Sequence, residues 1–257
     1  MYATLYTGSA HGQLPLRSAI PISIPGNEAC ISSPSGSPLH ANASGATVSV
    51  VSMLIPEKYW YAYERVDNAL RRRDFRTAQK ELDRAISTYP NSAIAWCLMG
   101  TFHEEQLQLE QASSDYSHAL SLDSRLLPAF LGLARIAFRQ ERWQEVTRLS
   151  DQMARIDPTA FPMGHLYSAA AFFNLGEFLA AERNARRFQS LDVGRERPQV
   201  HLLLGDILER EHNYSGAAEE KELFLTVVPD APDANDIQQQ IKALQDLDKE
   251  TRTSTRQ

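Results

Sequence analysis

The sequence lacks the short motifs that mark most enzyme active sites. None of its 12 glycines belongs to a Gly-x-x-x-x-Gly-Lys phosphate loop, a Gly-x-Gly-x-x-Gly dinucleotide turn or a Gly-x-Ser-x-Gly nucleophile elbow. His103 and Glu104 begin like a zinc-protease helix, but Leu107 stands where the second histidine would be. The sequence therefore predicts no catalytic residues, no cofactor-binding residues and no metal site, and we expect that the chain is not an enzyme.

Cysteine, clustered positive charge and long apolar runs are also scarce. The two cysteines, Cys30 and Cys97, are too few for a disulfide framework and lack the spacing typical of zinc sites. The formal net charge is -6 and the only tight basic run is Arg71-Arg72-Arg73, which does not favour nucleic acid as a partner. No apolar stretch approaches the roughly 20 residues that cross a bilayer, so no membrane span is predicted.

The composition changes near residue 56. Residues 1–55 carry two formally charged side chains, Arg17 and Glu28, and are dense in Ser, Gly, Pro and Ala. Residues 1–56 are therefore predicted to be a largely disordered, low-complexity lead-in, with a possible short strand at 46–55. The absence of a signal-peptide pattern favours the cytoplasm. Export stays open if the natural protein begins earlier than this sequence.

From Glu57 onward, apolar residues recur at helical spacing and the pattern itself repeats. Gly100 and Gly205 close matching pentapeptides, and each is followed after twelve residues by an alanine. These landmarks place five units near 59–92, 93–126, 127–161, 162–197 and 198–231. A small residue recurs in the middle of the first helix at Gly100, Ala134, Ala169 and Gly205. An aromatic or apolar residue follows a turn at Phe75, Leu109, Trp143, Phe178 and Tyr214. A second, mostly small column lies at Ala78, Ala112, Val146, Ala181 and Ala217.

The columns predict stacked helix pairs. Two helices approach closely only where one presents Gly or Ala to the other, and a lone pair would leave an apolar face exposed. After the fifth unit, residues 233–247 carry a stripe at helical spacing that ends at Leu247, which predicts a capping helix with a polar outer face. Residues 248–257 are predicted to be a frayed polar tail.

This pattern resembles the tetratricopeptide repeat (TPR) family, in its bacterial form, whose unit is a 34-residue helix–turn–helix. The resemblance covers 57–247. It implies an all-α, right-handed α-solenoid of about five repeats with a C-terminal capping helix. Val66 and Phe188 occupy slots that are usually small, which should open the helix packing locally. His165 and His201 share a column that is usually filled by a large packing residue, so a packing role is favoured over metal binding.

The resemblance further implies that the first helix of each unit lines a concave groove. The residues expected to face it are Tyr63, Asp67, Leu98, Thr101, Leu131, Arg135, Leu166, Tyr167, Leu202 and Asp206, and Phe138 and Phe173 lie further along the same helices. The leucine column suits an extended peptide or an amphipathic helix with apolar anchors. Alternatively, neighbouring helices cover these leucines.

One class of partner is not favoured. Some TPR domains grip the C-terminal tail of chaperones with Lys, Arg and Asn in the groove, but the matching slots of the first three units hold Tyr63, Asp67, Leu98, Pro128 and Gly132. We therefore expect a non-catalytic scaffold or adaptor that binds a peptide or helix of another protein in the groove. The alternative is a structural subunit that self-associates or completes a multiprotein assembly.

Overall fold

The computed structural model describes residues 57–157, 162–191 and 197–254, with side chains from Tyr63 onward. The lead-in predicted for 1–56 and its strand at 46–55 lie outside these residues. The described residues form eleven α-helices and no strand. In chain order the helices are α1 (Glu57–Arg71), α2 (Phe75–Thr88), α3 (Ala93–Glu105), α4 (Leu109–Leu122), α5 (Leu127–Arg139), α6 (Trp143–Ile156), α7 (Pro162–Asn174), α8 (Phe178–Ser190), α9 (Gln199–Arg210), α10 (Tyr214–Val227) and α11 (Ala234–Ser254).

Helices α1 to α10 form five pairs, which we call repeats 1 to 5. In every pair the second helix begins at the aromatic or apolar residue that recurs in the sequence. The turn before it is the same each time, because one residue adopts a positive φ, at Arg73, Leu107, Glu141, Gly176 and His212. The next N–H then donates to a carbonyl five residues earlier, as Gln108 N does to His103 O at 2.9 Å. This Schellman arrangement satisfies carbonyls that the helix end leaves open.

The small residues lie where the two helices of a pair meet. Ala134 and Ala169 of the first helices are fully buried, as are Ala78, Ala112, Val146, Ala181 and Ala217 of the second helices. The side chain opposite Gly100 is Tyr116, and the one opposite Gly205 is Lys221. A Cβ at Gly100 would lie 2.7 Å from Tyr116 Cδ1, so the glycine is required for this approach.

The pairs stack in a defined way. The first helices of consecutive repeats contact one another along the whole series α1, α3, α5, α7 and α9. The second helices pack against the first helix of the next repeat, and among the described residues they barely touch each other. The first helices therefore lie on the inner side of the stack and the second helices on its outer side. The prediction of an all-α solenoid is confirmed.

The final helix closes the stack against α10 with Ile237, Ile241 and Leu244, which are buried. Lys221, a buried residue of α10, joins it to the last repeat: Nζ donates to Asp206 Oδ1 at 2.6 Å and to Gln240 Oε1 at 2.8 Å. This network links α9, α10 and α11, and it fixes how the last helix sits on repeat 5.

The last helix is longer than the sequence pattern predicts. It continues to Ser254 rather than ending at 247, so the tail predicted as frayed is helical as far as Ser254. Ion pairs between neighbouring turns, Arg252 to Asp248 and Lys249 to Asp246, accompany the extension. Leu247, which the stripe places on the buried side, is 40% exposed.

Candidate protein-binding groove

The residues predicted to face the groove are mostly buried. Eight of the ten are at most 7% exposed, namely Tyr63, Asp67, Leu98, Thr101, Leu131, Arg135, Leu166 and Tyr167. Leu202 is partly exposed, and the side chain of Asp206 is 26% exposed. The leucine column could either face a partner or be covered by neighbouring helices. Leu98, Leu131 and Leu166 are covered. The eight buried residues offer little surface to a partner in this conformation.

Several of these residues instead hold the repeats together. Tyr63 Oη and Ser92 Oγ are 2.6 Å apart, which ties α1 to the start of α3. Asp67 accepts from Arg71 Nε at 2.7 Å one helical turn away. These hydrogen bonds occupy the polar tips that a partner would otherwise need, so Tyr63 and Asp67 act within repeats 1 and 2.

Arg135 lies at the centre of a buried polar network between repeats 2 and 3. Its Nε donates to Glu104 Oε1 at 2.8 Å, and Tyr116 Oη donates to Glu104 Oε2 at 3.0 Å. Thr101 Oγ1 is 3.2 Å from the same Tyr116 hydroxyl. Burial alone opposes the charge of Arg135, but the hydrogen bonds and charge of Glu104 hold its pKa above the ordinary value.

The same network acts on the tyrosine. Burial, together with the negative charge of Glu104, raises the pKa of Tyr116 well above its ordinary value, so the hydroxyl stays protonated and can donate. A buried ion pair of this kind contributes less to net stability than its short distances suggest, because both charges lose their hydration. Its clear consequence is geometric, since it fixes α5 against α3.

The leucine column needs one correction in register. Leu131, Leu166 and Leu202 each precede the small residue of their helix by three positions, whereas Leu98 precedes Gly100 by two. The residue in register with the other leucines is Cys97, which is fully buried. The apolar column on the inner side therefore runs through Cys97.

The first helices of repeats 3 and 4 each carry a partly exposed phenylalanine. Phe138 and Phe173 are partly buried and occupy the same position, four residues after the small residue of α5 and α7. The ring of Phe138 reaches Tyr167 of the next repeat, with centroids 5.5 Å apart. Phe173 packs against Phe178 at 5.8 Å, and the guanidinium of Arg210 in repeat 5 lies 6.0 Å from the Phe173 ring.

Two exposed arginines on the first helices, Arg139 and Arg210, are not among the predicted groove residues. Arg139 follows Phe138 and keeps its side chain 34% exposed, although one guanidinium nitrogen lies 3.7 Å from Glu104. Arg210, which follows Glu209, is exposed. Both lie five residues after the small column, at Ala134 and Gly205. This five-residue offset can be read from the sequence, but periodicity alone does not show that side chains at this position stay accessible. We call Phe138, Arg139, Phe173, Leu202 and Arg210 the aromatic groove.

The histidines of the repeats contact neighbouring side chains. His165 Nδ1 lies 3.3 Å from Asn184, and His201 Nδ1 lies 2.7 Å from Glu220 Oε2, so each contacts the second helix of its own repeat. Within the part of the chain that the structure describes, no group of three or more His, Cys, Asp or Glu side chains is arranged to hold a metal ion. None of the described helices is both long and apolar enough to span a bilayer.

Comparison with known proteins agrees with the helix pairing. A family model described as tetratricopeptide repeat matches residues 63–124, which span α2, α3, α4 and most of α1. The remaining pairs repeat the same turn and packing. Over the matched residues the chain is similar to the tetratricopeptide repeat (TPR) family.

Proteins of known structure share this architecture. The type IV pilus assembly protein PilF of Pseudomonas aeruginosa is 23% identical over 156 residues, which are 60% of this chain and 61% of that protein. The chain therefore matches about three fifths of the length of this relative. A solved structure of Pseudomonas aeruginosa PilF covers 73% of this chain and 92% of its own, with 20% identity and a TM-score of 0.60. YrrB, described as a TPR protein with an unusual peptide-binding site, covers 65% of this chain and 89% of its own, with 17% identity and a TM-score of 0.55. These structures show a shared fold.

Proposed function

We propose that this chain is a non-catalytic scaffold that holds an apolar segment of another protein in the aromatic groove. A TPR fold is an interaction scaffold, and the proposal concerns where and what this one binds. The observation that carries it is the pair Phe138 and Phe173, which stand at equivalent positions of adjacent repeats and remain partly exposed. Partly exposed aromatic rings beside arginine are typical of residues that dominate binding energy at protein interfaces.

The chemistry of the groove narrows the kind of segment. Two rings one repeat apart suit a peptide or amphipathic helix with two apolar anchors. Arg210 places positive charge beside the Phe173 ring, and Arg139, the exposed sequence neighbour of Phe138, adds a second cation on α5, which favours carboxylates near the anchors. Leu202 and the partly exposed Asp206 extend the surface into repeat 5. The peptide-binding site named for YrrB supports this mode of binding in a protein of the same fold.

A selection from a random peptide library, followed by fluorescence polarisation with the selected peptides, tests the proposal. Each of Phe138→Ala and Phe173→Ala is expected to weaken binding at least about tenfold, equivalent to about 1.4 kcal/mol. Leu179→Ala is the matched control, because this leucine is 73% exposed on α8, an outer helix. Circular dichroism checks that each variant keeps its helices. The proposal fails if the selected peptides bind both phenylalanine variants as tightly as the unchanged chain.

The second candidate function is a structural subunit of a multiprotein assembly. The similarity to a protein named for type IV pilus assembly favours it, although the match spans only part of that relative. In that case the outer helices or the ends of the stack, rather than the aromatic groove, would make the contacts. Light scattering over a range of concentrations tests the self-associating form, and a strict monomer excludes it.

A further inference from the structure

The outer side of repeats 4 and 5 carries two exposed helix faces of opposite charge. On α8, the side chains of Arg183 and Arg187 are exposed and have no ion pair or hydrogen bond among the described residues. On α10, Glu219 is exposed, and the contact described for its carboxylate is a hydroxyl of its own helix at 3.5 Å. Leu223 and Val227 follow on the same face of α10 and are 48% and 50% exposed.

The charges of the two helices stand at equivalent positions of adjacent repeats. Two residues after the buried alanine that follows the turn, α8 has Arg183 and α10 has Glu219. Three residues further along, the pair is Arg186 and Glu222, so the sign of the charge is inverted twice. At the first of these positions α6 has Arg148, which gives α6 and α8 like charge. Among the five second helices that the structure describes, α8 and α10 are the one adjacent pair with opposite charge at both positions.

We propose that these two faces form the interface of a symmetric dimer, in which the partner is a second copy of this chain. Because α8 and α10 are both second helices, they run in the same direction along the stack. A two-fold axis that lies parallel to them and between them places α8 of each copy over α10 of the other. Each residue of α8 then meets its repeat equivalent: Arg183 of one copy faces Glu219 of the other, twice per dimer. At the next turn, Leu223 packs against the aliphatic stem of Arg187.

The charge pattern favours this axis over a two-fold axis perpendicular to the helices. A perpendicular axis would place α8 of one copy over α8 of the other in antiparallel order. Arg183 and Arg187 would then face arginines, and like charges that meet in an interface oppose association. The parallel axis brings opposite charges together instead, and it covers the exposed side chains of Leu223 and Val227.

This dimer rests on the second candidate function, the self-associating subunit, and it names the surface and the partner. The two helices lie on the outer side of the stack, whereas the aromatic groove lies on the inner side. Both copies therefore keep their grooves accessible. Peptide binding and dimer formation are consequently separate measurements, and either can fail without the other.

Sedimentation velocity of the whole chain over a range of concentrations tests the interface. We expect a monomer–dimer equilibrium that weakens when NaCl is raised from about 0.05 to about 0.5 M, because salt screens exposed charge pairs. Arg183→Glu and Glu219→Arg should each weaken the dimer at least about tenfold, since each places like charges opposite one another twice. Arg84→Glu is the matched control: it makes the same change of charge at an exposed position of α2, another outer helix, and should leave the dimer unchanged.

The double variant with both charges exchanged separates pairing from a general effect of charge. Arg183→Glu combined with Glu219→Arg restores opposite charges across the axis, so its dimer should be within about threefold of the unchanged chain. A double variant that dimerises no more tightly than either single variant would overturn the pairing. A strict monomer would overturn the dimer altogether. A dimer that none of these variants weakens would also overturn this interface, although the self-associating subunit would then stand with its contacts elsewhere.

Discussion

The ring of Tyr116 lies directly over the backbone of Gly132, one repeat away in the stack. A Cβ at position 132 would overlap Tyr116 Cζ and Cε2. Gly100, on the first helix of the ring's own repeat, is almost as close. The tyrosine on α4 is thus held between glycines of α3 and α5, and its hydroxyl donates to Glu104. One side chain sets the spacing of two helix pairs.

Gly132→Ala should therefore destabilise the protein by about 1–3 kcal/mol through overpacking. Urea unfolding followed by circular dichroism measures the change. If the tyrosine ring is the cause, the substitution should cost much less in a Tyr116→Ala background, where space is available. An equal cost in both backgrounds would show that Gly132 acts through something other than this contact.

Arg135→Met should cost about 3–5 kcal/mol in the free energy of unfolding. The substitution leaves the carboxylate of Glu104 buried with only Tyr116 and the more distant Arg139 as partners. Replacing both charges, Glu104→Leu with Arg135→Met, should recover most of that loss, because neither charge is then left unpaired. A double variant no more stable than Arg135→Met would contradict this account of the network.

The carboxyl group of Asp115 should make the free energy of unfolding depend on pH. Burial raises the pKa of this carboxyl above its ordinary value of 3.8, even though His103 donates to it and His118 adds a favourable charge. A carboxyl whose pKa is raised by folding contributes stability at low pH, and that contribution is lost as the pH rises from about 3.8 through the folded value.

Over that interval the unchanged chain should lose stability relative to Asp115→Asn, which cannot ionise. Denaturant unfolding of both proteins at a series of pH values measures the difference. A stability difference that stays constant with pH would show that burial does not raise the pKa of Asp115.

Leu107→Gly should stabilise the protein by about 0.5–1 kcal/mol. This leucine has φ 61° in the turn of repeat 2, a conformation that is strained for a residue with a Cβ. Its side chain is 75% exposed, so packing offsets little of that strain. The fourth repeat already carries Gly176 at the same place. Leu107→Ala is the control, since alanine keeps the strained φ and should give no gain. Equal stability of the two variants would mean that the turn carries no strain.

The sequence alone determines the helix pairs. The second helices begin at residues such as Phe75 and Tyr214 because of local spacing, turn chemistry and the positions of small residues. All three can be read from the repeating pattern. The fold class follows from it. The length of the last helix does not, because the turns beyond Leu247 are polar and depend on ion pairs such as Arg252 with Asp248.

The accessible surface of the groove depends on the tertiary structure. Sequence register places Arg135 and Phe138 on the same helix face, yet Arg135 is buried against Glu104, 31 residues away, while Phe138 stays partly exposed. Exposure is set by how far side chains of neighbouring repeats reach across the stack. That reach follows from helix spacing, which in repeats 2 and 3 is fixed by one tyrosine between two glycines. The sequence determined the repeats by local rules, and only their packing decided which residues a partner can touch.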